Sequence, residues 1–334
     1  MPGSAREPCT HILGTGHYLP AKVLTNRDLE RLVDTSDAWI VERTGIRQRR
    51  VAADAEASSD MATAAALRAL AAAEMSAERL DMIIVATITP DMPLPATAVF
   101  VQQNIGARSS CPAFDIAAAC AGFIYALSVA DSFVRAGQAR YVLVVGVELL
   151  SRVLNWDDRT TCVLFGDGAG AVVVGPAAGE GSGILSTHLY SDGSLAHSLC
   201  IPGGGSRTPV SVEMIDKGLH HVHMTGRDIF KYAVRSLVDS ARTAMEANGM
   251  QPSQVHWVVP HQANIRILDA VANRCGIPKE RFCINIDRVG NTSSASIPIA
   301  LDEGVRAGTI ERGQHLLFCG LGGGLAWGSA MMRW

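Results

Sequence analysis

An α/β protein made of two similar halves is what this sequence predicts, and three observations carry the prediction. One order of helix, strand, turn, helix and strand is written twice, its strands are short continuous apolar runs, and a Gly-rich connector separates the copies. In the first copy a helical pattern spans about Asp60 to Met75, and Leu80-Asp-Met-Ile-Ile-Val85 holds the following strand. The run Asp115-Ile-Ala-Ala-Ala-Cys120-Ala-Gly then turns into a second helical pattern that closes Asp131-Ser-Phe-Val-Arg135-Ala-Gly137. Tyr141-Val-Leu-Val-Val-Gly146 is the next strand. The second copy repeats this with a helix from about Asp228 to Asn248, a strand ending Trp257-Val-Val259, and a turn at Asn291. Its second helix closes Asp302-Glu-Gly-Val-Arg306-Ala-Gly308, before the strand His315-Leu-Leu-Phe-Cys-Gly320. Asp131 lies eleven residues after Cys120, and Asp302 lies eleven after Asn291. Buried apolar strands alternating with helices imply parallel sheets covered on both faces. The halves, residues 1–180 and 181–334, are expected to pack about a pseudo-twofold axis, with the junction in Gly175-Pro-Ala-Ala-Gly-Glu-Gly-Ser-Gly183.

Composition narrows the function classes. With 334 residues, 48% hydrophobic and 18% charged, the chain can bury a large core. A net charge of −3 gives no general attraction for nucleic acid or an anionic membrane, so neither is expected as a partner. The longest uncharged apolar stretch, Ile116 to Ala130, is fifteen residues, too short to span a bilayer. The opening Met-Pro-Gly-Ser-Ala-Arg-Glu lacks the apolar run of a secretion signal. Eight cysteines without a Cys-x-x-Cys pair argue against a zinc ribbon, and their apolar settings point to reduced thiols in the cytoplasm.

The chemistry centres on Cys120. Small residues crowd it, and a helix follows at once, so its thiol is expected at the positive end of a helix dipole, which favours thiolate. A buried core cysteine is the plain alternative. By the repeat, Cys120 and Asn291 start equivalent helices and can face one cleft. His261 follows the strand Trp257-Val-Val-Pro260, at a carboxyl end where open α/β sheets place ligands.

Longer strings now match a known family. They include Asp34-Thr-Ser-Asp-Ala-Trp39-Ile-Val-Glu-Arg43-Thr-Gly-Ile-Arg47, Ala117-Ala-Ala-Cys120-Ala-Gly122-Phe and Phe165-Gly-Asp-Gly-Ala-Gly170-Ala. Val259-Pro-His261-Gln-Ala-Asn264-Ile-Arg266, Gly290-Asn291-Thr-Ser and Gly322-Gly-Gly324-Leu-Ala-Trp-Gly328 complete the set. The chain resembles the β-ketoacyl-acyl-carrier-protein synthases III. The resemblance implies a thiolase-like, five-layered αβαβα sandwich and a catalytic triad at Cys120, His261 and Asn291. It implies that an acyl-CoA acylates Cys120, that malonyl-acyl-carrier protein loses CO₂, and that the enolate attacks the thioester, initiating fatty-acid synthesis. Neutral His261 and Asn291 would donate to the enolate oxygen, and the N–H groups of Cys120 and Gly323 would form the oxyanion hole. The acyl-CoA is a substrate, so no cofactor is expected, and the enzyme is expected to be a cytoplasmic homodimer. Two alternatives stay open: a same-fold starter-unit synthase or acyltransferase of a polyketide pathway, and a non-catalytic CoA- or carrier-binding scaffold.

The same resemblance assigns contacts. Trp39 would stack on adenine near Arg43 and Arg159, Asn264 would bond the pantetheine, and Phe230 would line its tunnel. The family commonly has Arg-Gly where this chain has Arg159-Thr160, which puts the adenine site in question. Lys231, Arg266 and Arg274 resemble the basic patch that docks the acidic carrier protein. Leu94 stands where acetyl-selective members carry Phe, in a loop that reaches the partner's acyl pocket, so primers longer than acetyl are expected. The Gly-rich runs fail the dinucleotide fingerprint, because Leu19 and Leu325 stand where its last Gly is needed. The segment 185–225 matches poorly and reads as a mobile cap. Its His220-His221-Val-His223 cluster lacks ligands of convincing spacing, so no metal is expected.

Overall fold

Residues 10–176 and 182–334 are described by the computed structural model, with the side chains of residues 227 and 228 excepted. The expected junction falls mostly on 177–181, outside the described residues, as does Cys9. Strands β1 (Thr10–Tyr18), β2 (Met82–Ala86), β3 (Ala113–Ile116), β4 (Val142–Glu148) and β5 (Gly168–Pro176) form one sheet, ordered β1-β5-β4-β2-β3. Strands β6 (Gly183–Ser191), β7 (Trp257–Pro260), β8 (His315–Gly322) and β9 (Ala326–Arg333) form a second, ordered β7-β8-β9-β6. The orders correspond strand for strand, and an isolated bridge between Val258 and Phe282 stands where β3 stands in the first sheet. Both sheets are mixed rather than parallel throughout. β2 is parallel to β3 and β4, and β7 to β8, but β5 runs against β4 and β1, and β9 against β8 and β6. For β9 the reason is connection length: only residues 323–325 separate it from β8, too few for the crossover a parallel neighbour needs.

The helices of eight or more residues are α1 (Asp37–Thr44), α2 (Ser58–Ala72), α3 (Thr97–Asn104), α4 (Gly122–Arg135), α5 (Gly226–Ala247), α6 (Ile265–Cys275) and α7 (Ser296–Arg306). Alternate faces of β2 and β4 serve two cores. Ile84 and Val144 pack with Phe123, Leu127, Ile297 and Leu301 of α4 and α7, together with Phe318 and Met332 of the second sheet. Ile83 and Val145 pack outward against Met61, Ala65 and Ala69 of α2. Leu317 and Met331 pack outward against Leu237 and Val271 of α5 and α6. The layers therefore run α2/α3, sheet, α4/α7, sheet, α5/α6, the five-layered thiolase-like sandwich. Gly14 and Gly16 in β1 have a packing reason, since a Cβ on either would overlap the α2 backbone.

The repeated Asp-x-x-Val-Arg-Ala-Gly ties this sandwich together crosswise. In α4, Arg135 donates to Asp131 (2.8 Å) and to the Ile184 carbonyl of β6 (2.6 Å), in the second sheet. In α7, Arg306 donates to Asp302 (2.7 Å) and to the Thr15 carbonyl of β1 (3.4 Å), in the first sheet. Gly137 and Gly308 leave the two helices with φ of 69° and 70°, the left-handed exit that favours glycine.

Candidate active site

Cys120 sits on a tight elbow between β3 and α4. Ala119 there has φ 45°, an uncommon conformation for alanine, and residues 119–121 form a 3₁₀ turn that feeds α4. The end of β8 presses on this elbow, because a Cβ on Gly322 would overlap the Cys120 nitrogen. The thiol does not rest as the thiolate that a helix dipole favours. Burial pushes it up to about 12, against which the Ser293 hydroxyl pulls downward.

His261 follows β7, and its N–H donates to the Cys319 carbonyl (2.8 Å). Burial lowers its pKa to about 3, so the ring is neutral. Nδ1 lies 2.7 Å from Ser296 Oγ, which is also 2.9 Å from the Ser293 carbonyl. A hydroxyl has one proton, and a carbonyl only accepts. The arrangement that satisfies both contacts has Ser296 donating to the carbonyl and Nδ1–H donating to Ser296. Nε2 is then an acceptor in the resting state, rather than the donor expected for it. Asn291 does not start a helix as Cys120 does. It lies two residues ahead of the 3₁₀ turn at 293–295 and pairs with Phe165. Its Oδ1 accepts from the Ser293 N–H (2.9 Å), which leaves the amide NH₂ as the free, donating end.

Two cavities meet at Cys120. The outer one, about 650 Å³, is lined by Cys120, His261 and Asn291, and by Trp39, Arg43, Arg159, Phe230, Asn264 and Arg266. The inner one, about 600 Å³, is lined by Cys120 and Gly323 with apolar Ile88, Ile116, Leu150 and Val222. The triad, the five residues expected along the CoA path and Arg266 of the expected carrier-docking patch thus share one cavity, while the expected oxyanion residues line the other. Guanidinium groups of Arg43 and Arg159 lie 4.6 and 5.4 Å from the centre of the Trp39 ring, in cation–π range. Asn264 caps α6, accepting from the Arg266 N–H (2.9 Å) and donating to the Arg43 carbonyl (3.0 Å), so one amide proton remains for a ligand. Thr160 folds back onto Asp158 (2.7 Å).

Lys231, Arg266 and Arg274 are all exposed, on α5 and α6. Leu94 is 83% exposed and lines neither cavity of its own chain. Expected as a mobile cap, the 185–225 segment supplies wall: Ser191, Gly193, Leu199, Cys200, Ile201 and Val222 line the inner cavity. The rings of His220 and His221 are 3.8 Å apart, and among the described residues no group of three His, Cys, Asp or Glu side chains is arranged to hold a metal. Sequence reasoning missed Ser293, Ser296 and Glu148. For Glu148 a signal was available, a lone carboxylate at the carboxyl end of the apolar run Val142–Val147.

A nucleophile elbow between two duplicated layers, with an imidazole and an amide across the cavity, defines a thiolase-fold condensing enzyme. Residues 114–193 match the family described as 3-Oxoacyl-[acyl-carrier-protein (ACP)] synthase III, and residues 245–334 match its C-terminal part. A curated β-ketoacyl-acyl-carrier-protein synthase III of Xanthomonas oryzae is 52% identical over 97% of this chain and 98% of that one. The crystal structure of the 3-oxoacyl-acyl-carrier-protein synthase III of Aquifex aeolicus covers 97% of this chain and 100% of its own, at 49% identity and TM-score 0.91. The priming β-ketosynthase of the R1128 polyketide pathway is similar at 34% identity and TM-score 0.90, over 99% of this chain and 98% of its own. The chain belongs to the β-ketoacyl-acyl-carrier-protein synthase III family.

Proposed function

We propose that this chain condenses an acyl-CoA primer with malonyl-acyl-carrier protein, with loss of CO₂, and so starts fatty-acid chains. The observation that carries the reading is the position of Cys120, at the meeting point of two cavities. CoA fits the outer one, past Trp39 and Phe230, and the primer's acyl chain fits the apolar inner one. Cys120 attacks the thioester, and the backbone N–H groups of Cys120 and Gly323 hold the tetrahedral oxyanion. After CoA leaves, the carrier protein docks on Lys231, Arg266 and Arg274, and its phosphopantetheine arm takes the outer cavity. The amide NH₂ of Asn291 then donates to the enolate oxygen. His261 joins it in its other neutral tautomer, with Ser296 turning its hydroxyl proton to Nδ1 and Nε2–H donating to the enolate.

The nucleophile belongs to the half 1–180, and His261 and Asn291 to the half 181–334. The enzyme works as a cytoplasmic homodimer without a cofactor, and Leu94 reaches the partner's acyl cavity. A starter-unit synthase of a polyketide pathway is the second reading, favoured by the likeness to the R1128 enzyme. The presence of Cys120, His261 and Asn291 together speaks against a non-catalytic scaffold. Intact-protein mass spectrometry with a panel of acyl-CoAs tests the reading. One acyl mass should appear, map to Cys120 and vanish in Cys120→Ser, whereas mapping to Cys162 or Cys283 would overturn it.

A further inference from the structure

Glu148 ends β4, and its side chain is 0% exposed. Its donors are all neutral: Thr89 Oγ1 (2.9 Å), the Ile88 N–H (3.1 Å), Thr87 Oγ1 (3.4 Å) and Ser293 Oγ (3.1 Å). An ionised carboxylate is costly in such a place, and burial raises its pKa to about 7, near working pH. The carboxyl is one hydroxyl away from the wall that holds the nucleophile: Ser293 Oγ donates to Glu148 Oε1, and Ser293 and Cys120 line the same cavity, where the hydroxyl favours the thiolate. Ser293 itself is held at φ 48°, a conformation rare for serine. That bend aims its N–H at Asn291 and its carbonyl at Ser296, which holds His261. One residue thus touches or positions every member of the proposed triad.

We infer that Ser293 and Glu148 form the proton relay of the nucleophile: Ser293 Oγ accepts the Cys120 thiol proton while passing its own to Glu148 Oε1, and the exchange reverses when the thiolate is released. The inference deepens the proposed reaction and rests on it for the acyl-transfer step. In the first half-reaction the S–H bond of Cys120 breaks, its sulfur bonds the acyl carbon, and the bond to the CoA sulfur breaks. The thiol proton ends on Glu148, and the departing CoA thiolate takes a proton from water. In the second, the decarboxylated enolate forms the new C–C bond, the Cys120 thioester breaks, and the thiolate recovers its proton from Glu148 through Ser293. The relay ends as it began, and one proton from solvent is consumed per CO₂ released.

His261 is a poor store for that proton, because burial disfavours its charged form. The groups facing Glu148 from neighbouring elements are Thr87, Ile88 and Thr89 after β2, and Ser293 and Ser294 from the 293–295 turn. None of these titrates near neutrality. The titratable group coupled to it is Cys120, whose thiol the Glu148 charge pushes upward. Ionised Glu148 therefore holds the proton on sulfur until the relay accepts it.

Alkylation of Cys120 by iodoacetamide reads the relay without any substrate, with the site mapped by mass spectrometry. In the wild type the rate should climb tenfold per pH unit below about pH 7 and flatten above it, as Glu148 becomes able to accept the proton. Glu148→Gln removes the acceptor. Its rate should rise without flattening from about pH 6 to 10, and lie at least about tenfold below wild type at pH 7. Ser293→Ala removes only the hydroxyl and keeps the N–H and carbonyl that hold Asn291 and Ser296, so it should give the same unflattened profile. A merely structural role predicts a uniform drop with the profile's shape unchanged. That result, or an inflection near pH 7 surviving in both variants, overturns the relay. Should Glu148→Gln fail to fold, Ser293→Ala decides alone. A wild type that shows the inflection yet takes no acyl group from any acyl-CoA keeps the relay and removes the proposed reaction.

Discussion

Replacing Val222 by Phe should narrow primer acceptance toward short acyl chains. Val222 is 6% exposed, lines the inner cavity and is held there by its N–H bond to the Val153 carbonyl (2.8 Å). The cavity is about 600 Å³. If a methylene takes roughly the ~30 Å³ of a liquid water, the four extra methylenes of hexanoyl over acetyl need about 120 Å³. Each buried methylene contributes about 0.8 kcal/mol, so hexanoyl can gain up to about 3 kcal/mol, or two decades in kcat/KM for acylation. A phenyl ring at 222 takes roughly half of this room. Rapid-quench acylation with acetyl-, hexanoyl- and octanoyl-CoA is the assay. The variant should lose at least about tenfold on the two longer primers while acetyl changes by less than about threefold. A strict acetyl preference in the wild type, or an equal loss on all three primers, would refute the reasoning. Leu94, exposed in its own chain, is expected to tune the same selectivity only across the proposed dimer, so Leu94→Phe is the companion variant.

His261→Ala and Asn291→Ala should each abolish malonyl decarboxylation, yet leave acylation of Cys120 detectable, because the nucleophile's proton leaves through Ser293; equal loss of both half-reactions would count against this division. Gly322→Ala forces a methyl group onto the Cys120 backbone. It should slow acylation by about a hundredfold, since displacement of a reacting group by ~1 Å costs that much, and unchanged far-UV circular dichroism would place the loss at the elbow rather than in the fold.

What the sequence revealed and concealed follows the range of the interactions involved. The helices at Asp60–Met75 and Asp228–Asn248 were legible, within a few residues of Ser58–Ala72 and Gly226–Ala247, because apolar periodicity is local. The duplication was legible because Asp131 and Arg135, like Asp302 and Arg306, are i,i+4 pairs on one helix. The antiparallel β5 and β9 were not, since a buried strand reads alike in either direction. The elbow at Cys120 was visible in its small residues, but the state of its thiol was not. The helix start argued for thiolate, whereas burial under layers distant in sequence decides for the neutral form. Asn291 was equated with Cys120 by spacing, yet its helix starts about one turn later. The roles of Ser293, Ser296 and Glu148 depend on contacts from β2, β4 and β7, and a hydroxyl in a Ser-rich run announces none of them.

The crossed arginines of α4 and α7 have a thermodynamic consequence. Each inner helix hangs by its last turn from the edge strand of the opposite sheet, Arg135 from Ile184 and Arg306 from Thr15. Fraying at either edge strips the acceptor from a helix whose other end leads to the catalytic elbows. Local opening at one rim is therefore coupled to loss of order at the far rim, and melting is driven toward a single cooperative event. The separation between thiol and amide is in this sense set by the whole particle: it holds while both sheets hold, and neither sheet can loosen it alone.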